Sequence, residues 1–444
     1  MKAPVPDAWR NGSVVAPAVA TRASGVWWRV FNDPELSDLV ARALHGNLGL
    51  AQAAERLRAA RALAGASRAP YLPVLKVGTD RVVEPDRARS YFLAGFDAGW
   101  ELPLFGAGTG AARVAHSATD EALAEWQGAR ISLVAEVVRC WIDLRAAQQR
   151  VHGLAALHDD AARRLQLVQK RIQLQLAPAA ELHTAEAAVA RRDAALAKAR
   201  PAVGESAQQL ALLLGLNEPD PAWLAVQPLP RLAVPPLASV PADLLRNQPQ
   251  IARAEAQVVR AAGELDISRA DLYPHIGLGA SLQWALDTTD ARMRSHGTIF
   301  SLGPIVHIPL FDWGLRQAQK RADGHRLEAA VLAYREAVLK GVADTEIALG
   351  NLRESELREA ATEQALRATR QAQRAVETRQ SLQLADQLDV LAARAASVQA
   401  GLDALAAQRE RDLAYVALYK ALGGPPVDPD QLATSHEPVA AGAR

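Results

Sequence analysis

The stretch from Val306 to Gly424 decides the fold. It opens on Val306-His307-Ile308-Pro309-Leu310-Phe311 and closes on Leu418-Tyr419-Lys420-Ala421-Leu422-Gly423-Gly424. After Pro309 no proline occurs as far as Gly424, and a short polar break falls at Leu382–Gln387. A proline-free, Ala-rich run with helical apolar spacing is a helix, so the stretch reads as a strand feeding a long helical hairpin. On the outgoing arm Val331, Tyr334, Val338, Val342, Leu349 and Leu352 form a stripe. On the returning arm Leu388, Leu391, Ala395, Val398, Leu402 and Leu405 alternate steps of three and four, the seam of a coiled coil, expected to pack on the outgoing arm. At ~1.5 Å per residue, an arm of this kind spans roughly 90–105 Å, a reach that no soluble core requires.

The first half carries the same plan more weakly. An arm with Pro4, Pro6 and Pro17 occupies residues 1–33 and ends near Trp27-Trp28. Asn32-Asp33-Pro34-Glu35-Leu36 then starts a helix, with Asp33 as cap and Pro34 in the first turn, read on to Ala69. Prolines 70, 73, 85 and 103 bar a helix between 71 and 105, where two strands flank a polar loop at Glu84–Ser90. A helix follows from about Gly110 to Leu176. Pro178 is placed in the first turn of the next, which reaches Gly215 with a kink at Pro201. Residues 216–240 are a Pro-rich linker. The second half, 241–424, opens at Pro241-Ala242-Asp243-Leu244-Leu245 and has a helix to about Asp271. Its strands are Tyr273–Leu286 and Thr298–Pro309 around a loop at Asp287–Gly297, and its hairpin covers about 315–422. Residues 425–444 form a tail.

Short identities tie the halves together. Ser67-Arg68-Ala69 and Ser268-Arg269-Ala270 are 201 residues apart, as are Pro73 and Pro274. Pro103-Leu104-Phe105 and Pro309-Leu310-Phe311 are 206 apart, and Leu214-Gly215 and Leu422-Gly423 are 208 apart. The expected fold is therefore α+β with two internal repeats, 34–215 and 241–424. Four strands are too few for a useful closed barrel, but three chains would supply twelve, leave no exposed edge and allow a membrane crossing. A soluble coiled-coil scaffold with small β-regions fits the same pattern.

The 444 residues carry a net charge of +1, which gives nucleic acid no electrostatic grip. One cysteine, Cys140, rules out an intrachain disulfide and reads as a small buried apolar residue. No apolar run is long enough for a transmembrane helix. The ten histidines are scattered without metal-ligand spacing, and Gly106-Ala107-Gly108-Thr109-Gly110 lacks the lysine of a phosphate-binding loop. That glycine-rich piece is expected to be a strand-to-helix turn. No cofactor and no catalysis are expected.

Several stretches, in order along the chain, resemble the outer-membrane factor family, the TolC/OprM-like channels of tripartite efflux pumps, and most closely its NodT-like lipoprotein branch. They are Trp27-Trp28-Arg29-Val30-Phe31-Asn32-Asp33-Pro34-Glu35-Leu36, Trp100-Glu101-Leu102-Pro103-Leu104-Phe105-Gly106, Pro241-Ala242-Asp243-Leu244-Leu245, Asp271-Leu272-Tyr273-Pro274-His275-Ile276 and the closing Leu418–Gly424. The resemblance implies a homotrimer with a twelve-stranded β-barrel in outer-membrane lipid and a long α-helical periplasmic tunnel. It also implies a periplasmic adaptor protein and an inner-membrane (RND-type) transporter as partners, with export of small molecules or drugs as the function. Type I protein secretion is the alternative on the same fold. The lipoprotein branch begins with a signal peptide and a lipidated cysteine, neither present in this chain; Met1 falls inside what resembles the following arm, so the start is read as truncated.

The resemblance also places the closing end at the hairpin tips, near Gln175–Leu182 and Gln383–Val390. Asp389 and Glu181 fall on constriction positions where the family has acidic side chains, with Asp386 beside them as a helix cap or a further gate residue. Gln175, Pro178, Gln383 and Leu384 fall where an adaptor docks. The family's turn glycines appear as Gln175 and Gln383, its tyrosines as Ile172 and Gln380, its second aspartate as Ala392 and a lock arginine as Ala385. The closing network is therefore expected to differ from that of its relatives.

Overall fold

The computed structural model describes residues 26–83, 90–230, 232, 248–287 and 294–424. The readings for the N-terminal arm before Val26, the opening of the second half at 241–245, the loop centres at 84–89 and 288–293, and the tail after Gly424 fall outside these residues. Among these described residues, eight α-helices and four strands follow in order. They are α1 (Pro34–Gly46), α2 (Leu48–Gly65), β1 (Val74–Val83), β2 (Ser90–Glu101), α3 (Ala107–Gln173), α4 (Ala180–Ala199), α5 (Pro201–Leu213), α6 (Pro249–Ala270), β3 (His275–Asp287), β4 (Arg294–His307), α7 (Leu315–Ser381) and α8 (Gln387–Ala421). Among the described residues, no helix is long and apolar enough to cross a membrane.

The chain separates into two compact units. One comprises 55–125 and 250–337 and contains the sheet; the other comprises 1–54, 126–249 and 338–444. In the first, the strands lie in the order β1-β2-β3-β4, all antiparallel, so β1 and β4 are unpaired edges. The close approach of α3 to α6 depends on two glycines. A Cβ on Gly110 would lie 2.8 Å from the Gly263 carbonyl oxygen, and one on Gly263 would lie 2.8 Å from that of Gly110.

In the second unit the core is organised by Arg145 on α3, 1% exposed. Its guanidinium pairs with Glu35 at 3.1 Å, donates to the carbonyls of Trp223 and Ala225 at 3.2 and 3.0 Å, and lies 3.9 Å over the Trp141 ring. Gln148 donates to the same Trp223 carbonyl at 2.7 Å. These bonds hold the linker on α3, where a short 3-10 turn, Pro221–Leu224, buries Trp223. The end of the N-terminal arm is likewise ordered: Trp27–Phe31 form a 3-10 turn, with Trp27 stacked on Tyr419 at 4.6 Å. Asp33 caps α1 as expected and also accepts the Trp141 indole N–H at 2.8 Å. Cys140 is buried.

Several boundaries correct the sequence reading. The first helix is two, because Asn47 ends α1 and caps α2, accepting the Leu50 N–H at 2.9 Å. Pro178 precedes α4 instead of entering its first turn, and Pro201 opens a separate helix, α5. The loop read at Asp287–Gly297 ends earlier than expected, since β4 already begins at Arg294. The seam on α8 also meets the first repeat, besides α7, where Gly401 faces Leu366. Ala395, Val398 and Leu402 lie against Leu154, Leu157 and Leu196 of α3 and α4, and Leu402 sits directly over Gly153.

The repeat is tighter in the backbone than in the sequence. Helices α3 and α7 both have 67 residues. The left-handed positions Phe105, Gly106, Gln175 and Gly215 recur 208 residues on as Trp313, Gly314, Gln383 and Gly423. Before the strand turns the offset is 201: Val77 pairs with Phe96, and Leu278, 201 further on, pairs with Pro304, 208 further on from Phe96. The 206-residue match of Pro-Leu-Phe is therefore out of structural register by two residues. Proline ends each strand two residues upstream, at Glu101 and His307. The helices then start at Ala107 and Leu315, and the second repeat takes two more residues to get there.

Candidate functional site

The first site is the sheet, whose two faces differ. Pairing puts Val77, Phe96, Leu282 and Phe300 in one row across all four strands. The adjacent row, on the opposite face, is Lys76, Asp97, Ser281 and Ser301. The next row returns to Leu75, Ala98, Ala280 and Leu302. Alternate residues of a strand point to opposite faces, so one face is apolar and the other polar. On the apolar face Phe96 meets Trp284 edge-on at 6.0 Å, and Val77, Phe300 and Leu302 are exposed. The polar face adds His275, which lies 2.8 Å from the Glu101 carboxylate and pairs across strands with His307. Its glycines at 99, 279 and 303 form a smooth row. The sequence reading gave the strands and quoted Glu101, His275 and His307 only within longer stretches, assigning no residue to a polar face. Parity along each strand was the signal that would have found them.

The second site is the pair of hairpin tips. Each long helix ends in a Schellman turn. Gln175 has φ 58°; its N–H bonds to the Ile172 carbonyl and that of Leu176 to Arg171. Gln383 has φ 59°, with the matching bonds from Gln383 to Gln380 and Leu384 to Arg379. A left-handed residue with a side chain costs roughly 1–2 kcal/mol, which is why glycine is the usual occupant. On either side of these glutamines, Leu174, Leu176, Leu382 and Leu384 are exposed.

Beyond the turns the tips diverge. Asp386 caps α8, accepting the Asp389 N–H at 2.8 Å, while the Asp389 carboxylate accepts the Asp386 N–H at 3.1 Å, a closed capping box. The equivalent of Asp386 in the first repeat is Pro178, which has no side chain able to cap; Glu181 and Leu182 instead bond back to the Pro178 and Ala179 carbonyls. Glu181, the equivalent of Asp389, lies in the first turn of α4. The structure thus brings Asp386 and Asp389 together. Among the described residues it brings no side-chain partner from the first tip to either.

A family model described as outer membrane efflux protein matches residues 39–216 and 240–424, close to the two repeats. Pyoverdine export outer membrane protein OpmQ of Pseudomonas aeruginosa is 31% identical over 426 residues, covering 90% of this chain and 87% of that protein. Nodulation protein T of Rhizobium leguminosarum bv. viciae is 27% identical, covering 79% of this chain and 73% of that protein. Among solved structures, the outer-membrane channel OprN superposes with a TM-score of 0.82 at 25% identity, covering 96% of this chain and 98% of that one.

Proposed function

This chain belongs to the outer membrane efflux protein family, and on that premise we propose that three copies form a passive duct carrying small molecules across the outer membrane. It is the outer-membrane component of an efflux system, which removes the scaffold reading. The observation that carries the trimeric duct is the sheet: two unpaired edges, β1 and β4, and rows that alternate apolar and polar across all four strands. Three such sheets joined edge to edge make twelve strands and leave no edge open. Their apolar rows then face lipid, and Lys76, Asp97, Glu101, His275 and Ser281 face water.

At the hairpin tips, three copies of Asp389 and of Glu181 around one axis make a carboxylate constriction that repels itself, holds water and attracts cations. Asp386 holds the backbone on which Asp389 sits. A periplasmic adaptor docks at the tips, on Gln175, Pro178, Gln383 and Leu384, and couples the duct to an inner-membrane transporter of RND type that supplies the energy. OpmQ exports pyoverdine, a relative whose small-molecule cargo favours efflux over type I protein secretion.

The test is complementation. In a host lacking its own outer-membrane efflux channels, the chain, co-produced with its adaptor and transporter, should restore drug resistance about as well as the native channel does. Secretion of a type I substrate protein without that resistance would favour the alternative. Asp389→Asn should raise the single-channel conductance of the closed trimer in a planar bilayer; unchanged conductance and cation preference would remove Asp389 from the gate.

A further inference from the structure

The polar face of the sheet brings together two histidines that lie 32 residues apart in the sequence. His275 opens β3 and His307 closes β4, and the strand register sets them directly opposite each other. Directly opposed residues have their Cβ atoms about 4.5–5.5 Å apart, a spacing from which two imidazoles can reach one ion. Glu101, at the end of β2, lies on the same face, opposite Gly277. His275 is two residues from Gly277 on that face, and glycine puts no side chain in the way. The imidazole therefore reaches across, with its Nδ1 2.8 Å from the Glu101 Oε1. All three groups are accessible to water: the side chains of His275 and Glu101 are 36% and 54% exposed, and His307 is exposed as well. A hollow of about 710 Å³ lies over this part of the sheet, with Glu101, His275 and His307 in its lining.

We infer that His275 and His307 form a binding site for a divalent transition-metal cation on the wall of the duct, with Glu101 orienting His275. The site lies within one chain; only its exposure to the lumen rests on the trimeric reading above. The carboxylate decides which nitrogen is free. A neutral His275 that donates its Nδ1–H to Glu101 keeps the lone pair of Nε2, and a metal-bound histidine is characteristically oriented by such a carboxylate. Imidazole suits zinc, nickel and copper, whereas calcium and magnesium take oxygen ligands. Among the described residues no three His, Cys, Asp or Glu side chains are grouped as ligands, so the chain supplies two and water completes the shell. Two other histidines with carboxylate contacts differ, since those contacts bring no second imidazole: His158 meets Asp159 and Asp193, and His183 meets Glu186. Sequence spacing gives no hint of the pair, because the register of β4 on β3 makes it and not a helical step. An ion held here places two positive charges beside Glu101 and meets whatever passes along that face.

Zinc titration tests the site. The full chain, made without a histidine tag, is extracted from membranes in detergent and titrated calorimetrically with zinc chloride. One site per chain is expected. His275→Gln and His307→Gln should each weaken it at least about tenfold. Glu101→Gln leaves both imidazoles in place and should weaken it by about ten- to a hundredfold. Zinc on the remaining histidines is common to all four samples, so the difference between samples is the readout. Copper(II) bound in place of zinc should show two imidazole nitrogens in its electron paramagnetic resonance spectrum, and one after either histidine substitution. Zinc binding that is absent from the parent, or unchanged in both histidine variants, overturns the inference. Light scattering on each sample keeps the two readings apart. Trimers without the zinc site overturn the inference and leave the duct standing; monomers that keep the zinc site overturn the trimer and leave the site standing.

Discussion

Arg145 and Arg353 occupy the same place on α3 and α7, 208 residues apart, and live in opposite surroundings. Arg145 is sealed among Glu35, Trp141 and the linker carbonyls, whereas Arg353 is exposed. The same contrast, inverted, holds less than two turns further along the hairpins. In the second repeat Glu359, Arg411 and Asp412 form a charged cluster in which Arg411 and Asp412 are buried and Glu359 is half-buried, with Arg411 bonded to both carboxylates. The first repeat has Val151, Val203 and Gly204 there. The two repeats thus share the path of the backbone and differ in their charged contacts. Only the first long helix has to receive the crossover between the repeats, and Arg145, with its fork of donors, pins that crossover.

Breaking the largest difference comes first. Arg145→Ala strips Glu35 of its partner and leaves the Trp223 and Ala225 carbonyls short of a donor. The expected loss is about 3–5 kcal/mol, read as a large fall in melting temperature or in folded yield. Arg353→Ala should stay within about 0.5 kcal/mol of the parent. Equal losses would dissolve the contrast.

The Asp412 carboxyl is next. Burial pushes it up to about 7, although Arg411 pulls it back down. Between the ordinary carboxylate value and about 7, the folded chain keeps a proton there that the unfolded chain has released. Stability therefore falls as pH rises through that window. Asp412→Asn should flatten that slope by a few kcal/mol in melting experiments between pH 4 and 8, and an unchanged slope would reject the assignment.

The tips give the smaller effects. Asp386→Ala removes the capping box and should cost ~1 kcal/mol, with faster amide exchange over the first turn of α8. Pro178→Ala, at the uncapped equivalent, should change exchange in the first turn of α4 far less. Finally, Gln175→Gly and Gln383→Gly each relieve a left-handed residue and should stabilise by roughly 0.5–1 kcal/mol. A difference between these two would show that their surroundings, and not their shared φ, set the cost.

Much of this architecture was legible because proline and apolar spacing are local signals. Prolines bounded the strands, and the proline-free run after Pro309 marked the hairpin. Most of what escaped was set by distant parts of the chain. Gly46-Asn47 is a local helix-end signal that the reading ran through, whereas the bond of Asn47 to the Leu213 carbonyl comes from elsewhere in the sequence. Arg145 looks like any helical arginine until the linker folds over it. The Pro-Leu-Phe identity misled because proline fixes where a strand stops and leaves open where the next helix begins. At the tips, the turn positions were legible and their left-handed backbone followed. The absence of a cap at Pro178 showed only once the two repeats were overlaid.

The central claim is that this four-stranded sheet is one third of a closed barrel. The most direct measurement is the mass of the protein extracted from outer membranes, corrected for bound detergent. Three chains per particle is the predicted result; a single chain, soluble without detergent, would contradict it.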